Sequence, residues 1–312
     1  MRISHAALAL LLFLGLGLLA VMGPYSPALA SDPFSNATGW VGSPVQLGGG
    51  KSLVYFWSLS CERCVAGMSL LPALGDVSVI GVHAPEYAIE RSPEAARRAA
   101  QDVNFSYPLA LDHDQSIWAN FSQDRNPSTV YLFDENGRLV HHAHALTPAL
   151  VLASNRWVAG QDPQWPNDVI APPHRIYLGY HAAAPNVRSL WQPFQSHFYL
   201  LPEFPVPFVP HLYGSWYVGS DFVRADAPAK VWLSLLDAGN VSVVAYAPSG
   251  TVTVQLDGAP VVPAFAGTAV LSDGRLYAAP FGLFQIATGL SGAHELVMDV
   301  PAGFVLYRFF VE

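Results

Sequence analysis

The stretch "SLVYFWSLSCERC", Ser52–Cys64, decides how the first half of the chain is read. Ser52–Trp57 is rich in β-branched and aromatic residues and reads as a buried strand. Cys61 and Cys64 follow it, and they are the only two cysteines among 312 residues. A Cys-x-x-Cys between a buried strand and a helix start has a mechanical meaning. The first thiol sits where free backbone N–H groups and the helix dipole stabilise a thiolate, and the second lies one turn on. Cys61 is therefore the candidate nucleophile, and Cys64 the candidate resolving thiol that attacks a mixed disulfide formed at Cys61. A Cys61–Cys64 bridge closes a very small loop and removes little unfolded-chain entropy, which favours chemistry over stability as its purpose. Three other readings stay open: an inert structural disulfide, a redox domain without activity, and a zinc site. Zinc needs four ligands, so it would have to recruit histidines such as His141, His142 and His144.

Working outward, Arg2, the apolar run Ala6–Met22 and the small-residue motif Ala28-Leu29-Ala30 read as an export signal over residues 1–30. The rival is an uncleaved anchor, although a spanning helix needs ~20 apolar residues. Both readings place the bulk of the chain outside the cytoplasm, in the periplasm or beyond. The chain is 52% hydrophobic and 12% charged, with a net charge of −8. It has no arginine-rich run, and its only lysines are Lys51 and Lys230. This composition excludes nucleic acid as the main partner. No metal-ligand cluster stands out, and no bound cofactor is expected.

After the cysteines, Cys64–Leu74 reads as helical, with Pro72 bending or ending it. Val77–Val82 reads as a second buried strand. Ser92-Pro93-Glu94 opens a helix expected to reach about Val103. "YPLALD" is a short strand, "STVYLFDENGRLVHHAH" a hairpin turning at Asn136-Gly137, and Thr147-Pro148 opens a last helix. Alternating strands and helices with a closing hairpin imply an α/β domain over residues 39–158. A proline-rich linker over 159–174 follows. From 175 to 312 helical periodicity gives way to short alternating strands with turns at Gly239-Asn240, Asp257-Gly258 and Asp273-Gly274, as in an all-β sandwich or jelly roll. Trp191, Trp216, Tyr217, Trp232 and Tyr246 are candidate sugar-stacking rings there, with Trp216, Tyr217 and Trp232 foremost.

Taken together, "WVGSPVQL", "GKSLVYFW", "CERC", "VIGVHAPEYAIE", "YPLALDHDQSIW" and "NPSTVYLFDENGRLVHH" resemble the thioredoxin-like domain of the DipZ and TlpA group of exported thiol-disulfide proteins. "IYLGY", "SWYVG" and "GTVTVQLDGAPV" resemble the galactose-binding-like, carbohydrate-binding-like sandwich that follows that domain in DipZ proteins. The resemblance implies a thiol-disulfide oxidoreductase acting on protein or small-molecule disulfides or dithiols. It also implies a cis-proline docking edge at Pro127 and a possible glycan ligand for the sandwich. DipZ proteins usually include a multispanning electron-passing part, which is not seen in this sequence. A separate membrane electron-transfer protein of the CcdA/DsbD kind is therefore expected if the chain works reductively.

Departures from the pattern matter. Ser60 stands where members often have tryptophan, Tyr55 where thioredoxins have a buried aspartate, and Gly67 where TlpA-type proteins often have glutamate. Glu62 or Glu86 is left as the possible proton acceptor for Cys64. Ser58, three residues before Cys61, is shared with peroxiredoxins, but Val54 replaces their proline and the second cysteine suits exchange better. A peroxide reductase and a non-enzymatic envelope glycan-binding protein remain the alternatives, and the direction of exchange is open.

Overall fold

A computed structural model of the chain describes residues 32–121, 128–167, 174–203, 205–276 and 281–312. The expected leader, Pro127 and residues 168–173 of the expected linker lie outside the described residues. Among the described residues no helix is long and apolar enough to cross a membrane. The chain divides into two compact units, and neither is one continuous stretch. The first comprises the described residues of Met1–Phe56, Gly67–Ala84 and Asn104–Asn167; the second those of Trp57–Ala66, Pro85–Val103 and Asp168–Glu312. The cysteine loop thus belongs to the second unit, so the stretch 39–158 is shared between the two.

A six-stranded sheet organises the first unit. In chain order its strands are β1 (Gly39–Val41), β2 (Ser52–Trp57), β3 (Ser78–His83), β4 (Leu109–Leu111), β5 (Val130–Phe133) and β6 (Leu139–Ala143). The spatial order is β1-β4-β3-β2-β5-β6. β3 and β4 run parallel, whereas β2–β5 and β5–β6 are antiparallel. A parallel crossover joined through a central strand to an antiparallel hairpin is the thioredoxin-like arrangement. β2 is buried at every residue, as a central strand covered on both faces must be. Val54, Phe56, Ile80, Val82, Tyr131 and Phe133 share one core cluster.

The first helix, α1 (Glu62–Met68), ends earlier than the sequence suggests. Pro72 has no N–H to give the Met68 carbonyl, and its ring collides with that turn, so the chain continues as a 3-10 turn at Leu71–Ala73. The other helices are α2 (Pro93–Asp102), α3 (Ser116–Phe121), α4 (Pro148–Val158) and α5 (Pro185–Arg188). α2 starts as expected, with Ser92 Oγ accepting from Ala95 N at 3.0 Å. α4 is capped by Thr147, and Lys51 Nζ satisfies the carbonyls of Trp157 (3.0 Å) and Val158 (3.2 Å) at its far end.

The second unit is built on a twelve-stranded sheet whose named strands all pair antiparallel. Its strands are β7 (His174–Tyr177), β8 (Ser196–Tyr199), β9 (Pro210–Val218), β10 (Val223–Ala225), β11 (Ala229–Leu236), β12 (Val241–Tyr246), β13 (Val252–Leu256), β14 (Ala259–Pro260), β15 (Arg275–Leu276), β16 (Phe281–Ala287), β17 (Ala293–Val300) and β18 (Val305–Val311). The main path runs β14-β13-β17-β11-β9-β10-β18-β12-β16. The two halves are continuous through β9. Its first residues, Pro210–Tyr213, pair with β11, and Gly214–Tyr217 pair with β8, with β10 beside Trp216–Val218. The strand changes sides at Gly214, whose φ of +98° a side chain would resist. The sheet therefore curls around one core that joins Val231 and Leu233 on β11 to Val243 on β12 and Phe309 on β18.

Gly214→Ala is expected to destabilise the protein by about 1–3 kcal/mol. Its new Cβ would sit 3.1 Å from the Ala229 Cβ on top of the strained φ. An unchanged thermal midpoint would show that β9 does not need this bend.

Candidate redox site

The loop leaving β2 brings the two sulfurs together. Cys61 N–H donates to the Ser58 carbonyl at 3.2 Å, and the Cys61 carbonyl accepts the first helical bond from Val65 N at 3.1 Å. Cys61 is therefore the N-cap of α1. Its Sγ accepts from the Cys64 N–H at 3.2 Å, the place a capping serine oxygen would take. Cys61 and Cys64 form a disulfide with a Cα–Cα distance of 5.2 Å. Both are buried, Cys61 at 2% exposure and Cys64 at 0%. The bridge occupies both sulfurs, so in this state neither is available to a zinc ion. Among the described residues no three His, Cys, Asp or Glu side chains gather as a metal site.

Ser60, the residue before the nucleophile, is held at every polar atom. Its N–H donates to Glu90 Oε1 at 3.0 Å, and its carbonyl accepts from Arg308 Nη2 at 2.6 Å. Its Oγ lies 3.1 Å from Glu86 Oε2, 3.3 Å from Glu90 Oε2 and 3.0 Å from Ser58 Oγ. Glu90 also accepts from the N–H groups of Glu86 (2.9 Å) and Tyr87 (3.3 Å). Burial, and then the neighbouring Glu86 carboxylate, push Glu90 up to about 7 against the pull of these donors. Arg308 is 1% exposed. It pairs with Glu86, donates to Tyr177 Oη at 3.3 Å and lies against the rings of Tyr87, Tyr177 and Phe310.

Glu86 is thus engaged by Arg308 and Ser60. Glu62 accepts from Ser242 Oγ at 2.9 Å, and burial raises its carboxyl above the usual range. Pro127 lies outside the described residues. Two departures from the family pattern explain each other. A Cβ at Gly67 would fall 2.5 Å from the Tyr55 hydroxyl and 3.3 Å from the Leu146 Cβ. With tyrosine at position 55, a side chain at 67 would require the phenol to shift, which disfavours the glutamate often found there. Burial also raises the Tyr55 hydroxyl far above its ordinary value, which keeps it a neutral phenol.

The ring candidates separate by strand parity. Trp216 is 0% exposed, sits in the core and gives its Nε1–H to the Tyr213 carbonyl at 3.1 Å, which removes it as a stacking surface. Trp191 is buried as well. Tyr217 is half-buried with the Arg224 guanidinium 4.9 Å from its ring, while Trp232 is half-buried near His211. Tyr246 packs in the Tyr87–Tyr307 aromatic cluster. Sequence reasoning missed Glu90 and Arg308. An arginine inside the apolar run "FVLYRFFV" was the available signal, because an arginine is almost never fully buried without a partner.

The strand order of the six-stranded sheet is thioredoxin-like, and the chain carries a Cys-x-x-Cys pair closed as a disulfide. No protein-family model matches the chain. Over 117 residues it is 34% identical to a protein named DipZ from Mycobacterium tuberculosis (strain CDC 1551 / Oshkosh), covering 33% of this chain and 17% of that protein. It is 29% identical over 122 residues to the thiol-disulfide oxidoreductase YkuV of Bacillus subtilis (strain 168), covering 35% of this chain and 82% of YkuV. A solved thioredoxin-like protein in its oxidised form aligns with a TM-score of 0.35 and 23% identity, over 41% of this chain and 91% of that one. The sequence similarities cover at most 35% of this chain, and the chain spans 17% of the length of its DipZ relatives.

Two outcomes are expected. Gly67→Ala costs about 1–3 kcal/mol by overpacking. It costs less than half of that in a Tyr55→Phe background, where the obstructing oxygen is gone, and equal costs in a double-mutant cycle would refute the steric pairing. Glu90 gives a pH dependence. Its folded value of about 7 lies above the ordinary 4.5, so the folded state keeps a proton that the unfolded chain releases. Its contribution is fully present below about pH 4.5 and is lost as pH rises through about 7. The stability of wild type relative to Glu90→Gln should therefore fall by about 1–3 kcal/mol between pH 5 and 8. A flat difference in denaturation midpoints across that range would refute it.

Proposed function

We propose that the chain is an exported thiol-disulfide oxidoreductase that cycles its Cys61–Cys64 pair between dithiol and disulfide. The observation that carries the reading is the bridge itself, closed at a helix N-cap where the Cys64 N–H points at Cys61 Sγ. That N–H donates to a sulfur that must carry negative charge whenever the pair is reduced and reactive.

In the oxidising direction, a partner thiolate attacks Cys61 Sγ and the Cys61–Cys64 bond breaks, leaving a Cys64 thiolate. A second partner thiolate then attacks the mixed disulfide and releases the Cys61 thiolate. Two electrons pass from the partner to this pair. In the reducing direction the Cys61 thiolate attacks a partner disulfide, one partner thiolate leaves, and Cys64 attacks Cys61 Sγ to release the other. The substrates are protein or small-molecule disulfides or dithiols, and reductive turnover draws its electrons from a separate membrane carrier. In this reading residues 39–158 supply the exchange module and 175–312 a sandwich that holds it near the envelope, with Tyr217 and Trp232 as the rings left for a glycan. Pro127 shapes the edge on which a partner peptide docks.

Turnover is tested with insulin reduction and with oxidation of a scrambled protein. Cys61→Ser is expected to drop both to the buffer rate. Cys64→Ser is expected to accumulate a mixed disulfide, seen by mass spectrometry as a mass increase that reductant removes. Wild-type rates no better than buffer, or activity retained in Cys61→Ser, would overturn the reading.

A further inference from the structure

We propose that Arg308 is a positioning residue of the redox pair: its guanidinium clamps the carbonyl that leads into Cys61 and lays a buried positive charge beside the nucleophile, favouring the reduced, thiolate form. The inference rests on the exchange reading above and adds a residue more than two hundred positions away in sequence.

Several observations within the second unit carry it. β18 contains a bulge: Leu306 faces Ala245 and Arg308 faces Val244, so Tyr307 is the extra residue. Bulges re-aim side chains and are enriched next to active sites. Here the bulge puts Tyr307, Arg308 and Phe310 together with Tyr87, rather than leaving Tyr307 on the opposite face. The guanidinium then reaches the Ser60 carbonyl at 2.6 Å and pairs with Glu86. That carbonyl belongs to the peptide bond into Cys61, while the N–H of the same residue is fixed by Glu90 at 3.0 Å. Both peptide groups flanking the Ser60 Cα are thereby anchored, so the entry to the N-cap has one geometry. Arg308 is surrounded by rings, where its charge is screened weakly compared with a surface arginine.

The charge consequence has a sign. Reduction of the pair converts a neutral disulfide to a form with thiolate character at Cys61. A nearby cation stabilises that form and makes the pair a stronger oxidant, as for other pairs whose reduced state is favoured. Glu86 opposes it by neutralising Arg308. Removing the cation and removing its counter-ion should therefore move the potential in opposite directions, which a purely structural role would not do.

The test is equilibration of the full chain with glutathione disulfide and glutathione, in which two thiols and one glutathione disulfide become one protein disulfide and two glutathiones. The fraction oxidised is read by mass spectrometry after acid quenching and alkylation. Arg308→Gln should raise the oxidation constant about tenfold, equivalent to ~30 mV. Arg308→Lys, which keeps the charge, should stay within about twofold. Glu86→Gln should lower the constant about threefold, and it decides alone if Arg308→Gln does not fold. Shifts of the same sign in Arg308→Gln and Glu86→Gln, or constants all within twofold of wild type, overturn the inference. A wild-type pair that never equilibrates overturns the exchange reading and this inference with it; a well-behaved wild type with insensitive variants overturns this inference alone.

Discussion

A buried guanidinium must be paired, and that requirement ties the redox loop to segments distant in sequence. Arg308 has given up its hydration inside β18, and its compensation comes from Glu86, the Ser60 carbonyl and the Tyr177 hydroxyl. The net worth of such a network against an apolar core is small, but losing one partner leaves a buried charge uncompensated and costs ~3–5 kcal/mol. Residues 57–66, the Pro85–Val103 segment and β18 therefore keep one another in place. All three fall in one compact unit, although sequence order assigns them to different halves of the chain. The clamp on Ser60 then determines where Cys61 begins α1, and the N-cap geometry follows from that.

The pattern of acids around the pair differs from what the family phrases lead one to expect, and packing explains the difference. Tyr55 carries a phenol that burial keeps neutral, and its hydroxyl crowds the place a Cβ at Gly67 would take. A neutral phenol cannot take a proton from Cys64 near neutral pH. The carboxyls that remain near the loop are Glu62, Glu86 and Glu90, each already hydrogen-bonded. Burial brings Glu90 up to about 7, but its oxygens face Ser60 and the 86–87 backbone. Its role is to hold the loop, with a proton that comes and goes near physiological pH.

Local chemistry was legible in the sequence wherever one element suffices to determine it. β2, the Ser92 and Thr147 caps, and the turn at Asn136-Gly137 each rest on neighbours in sequence and occur where expected. The sequence also brought Cys61 and Cys64 to one site, because a strand, a short loop and a helix start leave little freedom. Long-range pairing was not legible. Nothing around Glu90 in "AIER" signals a buried carboxyl, and Arg308 needed the bulge at Tyr307 to face the loop. The ring candidates show a different lapse. Trp216 and Tyr217 are neighbours on one strand and must point to opposite faces, so both could not be surface stacking rings. Applying the two-residue period to β9 would have sent Trp216 to the core.

The potential of the pair is best viewed as a contest between opposed effects in the same loop. Burial of both sulfurs penalises a thiolate and so favours the neutral disulfide. The Cys64 N–H and the Arg308 charge work the other way, because each interacts more strongly with an anion than with a bridged sulfur. The loop is also tied at its edge, where Glu62 accepts from Ser242. In the exchange reading proposed above, a partner that loosened the loop would admit solvent to the sulfur and lift the burial penalty, while the N–H bond, built into the helix itself, would persist. Opening the loop would thus stabilise the thiolate and make the reduced pair easier to reach.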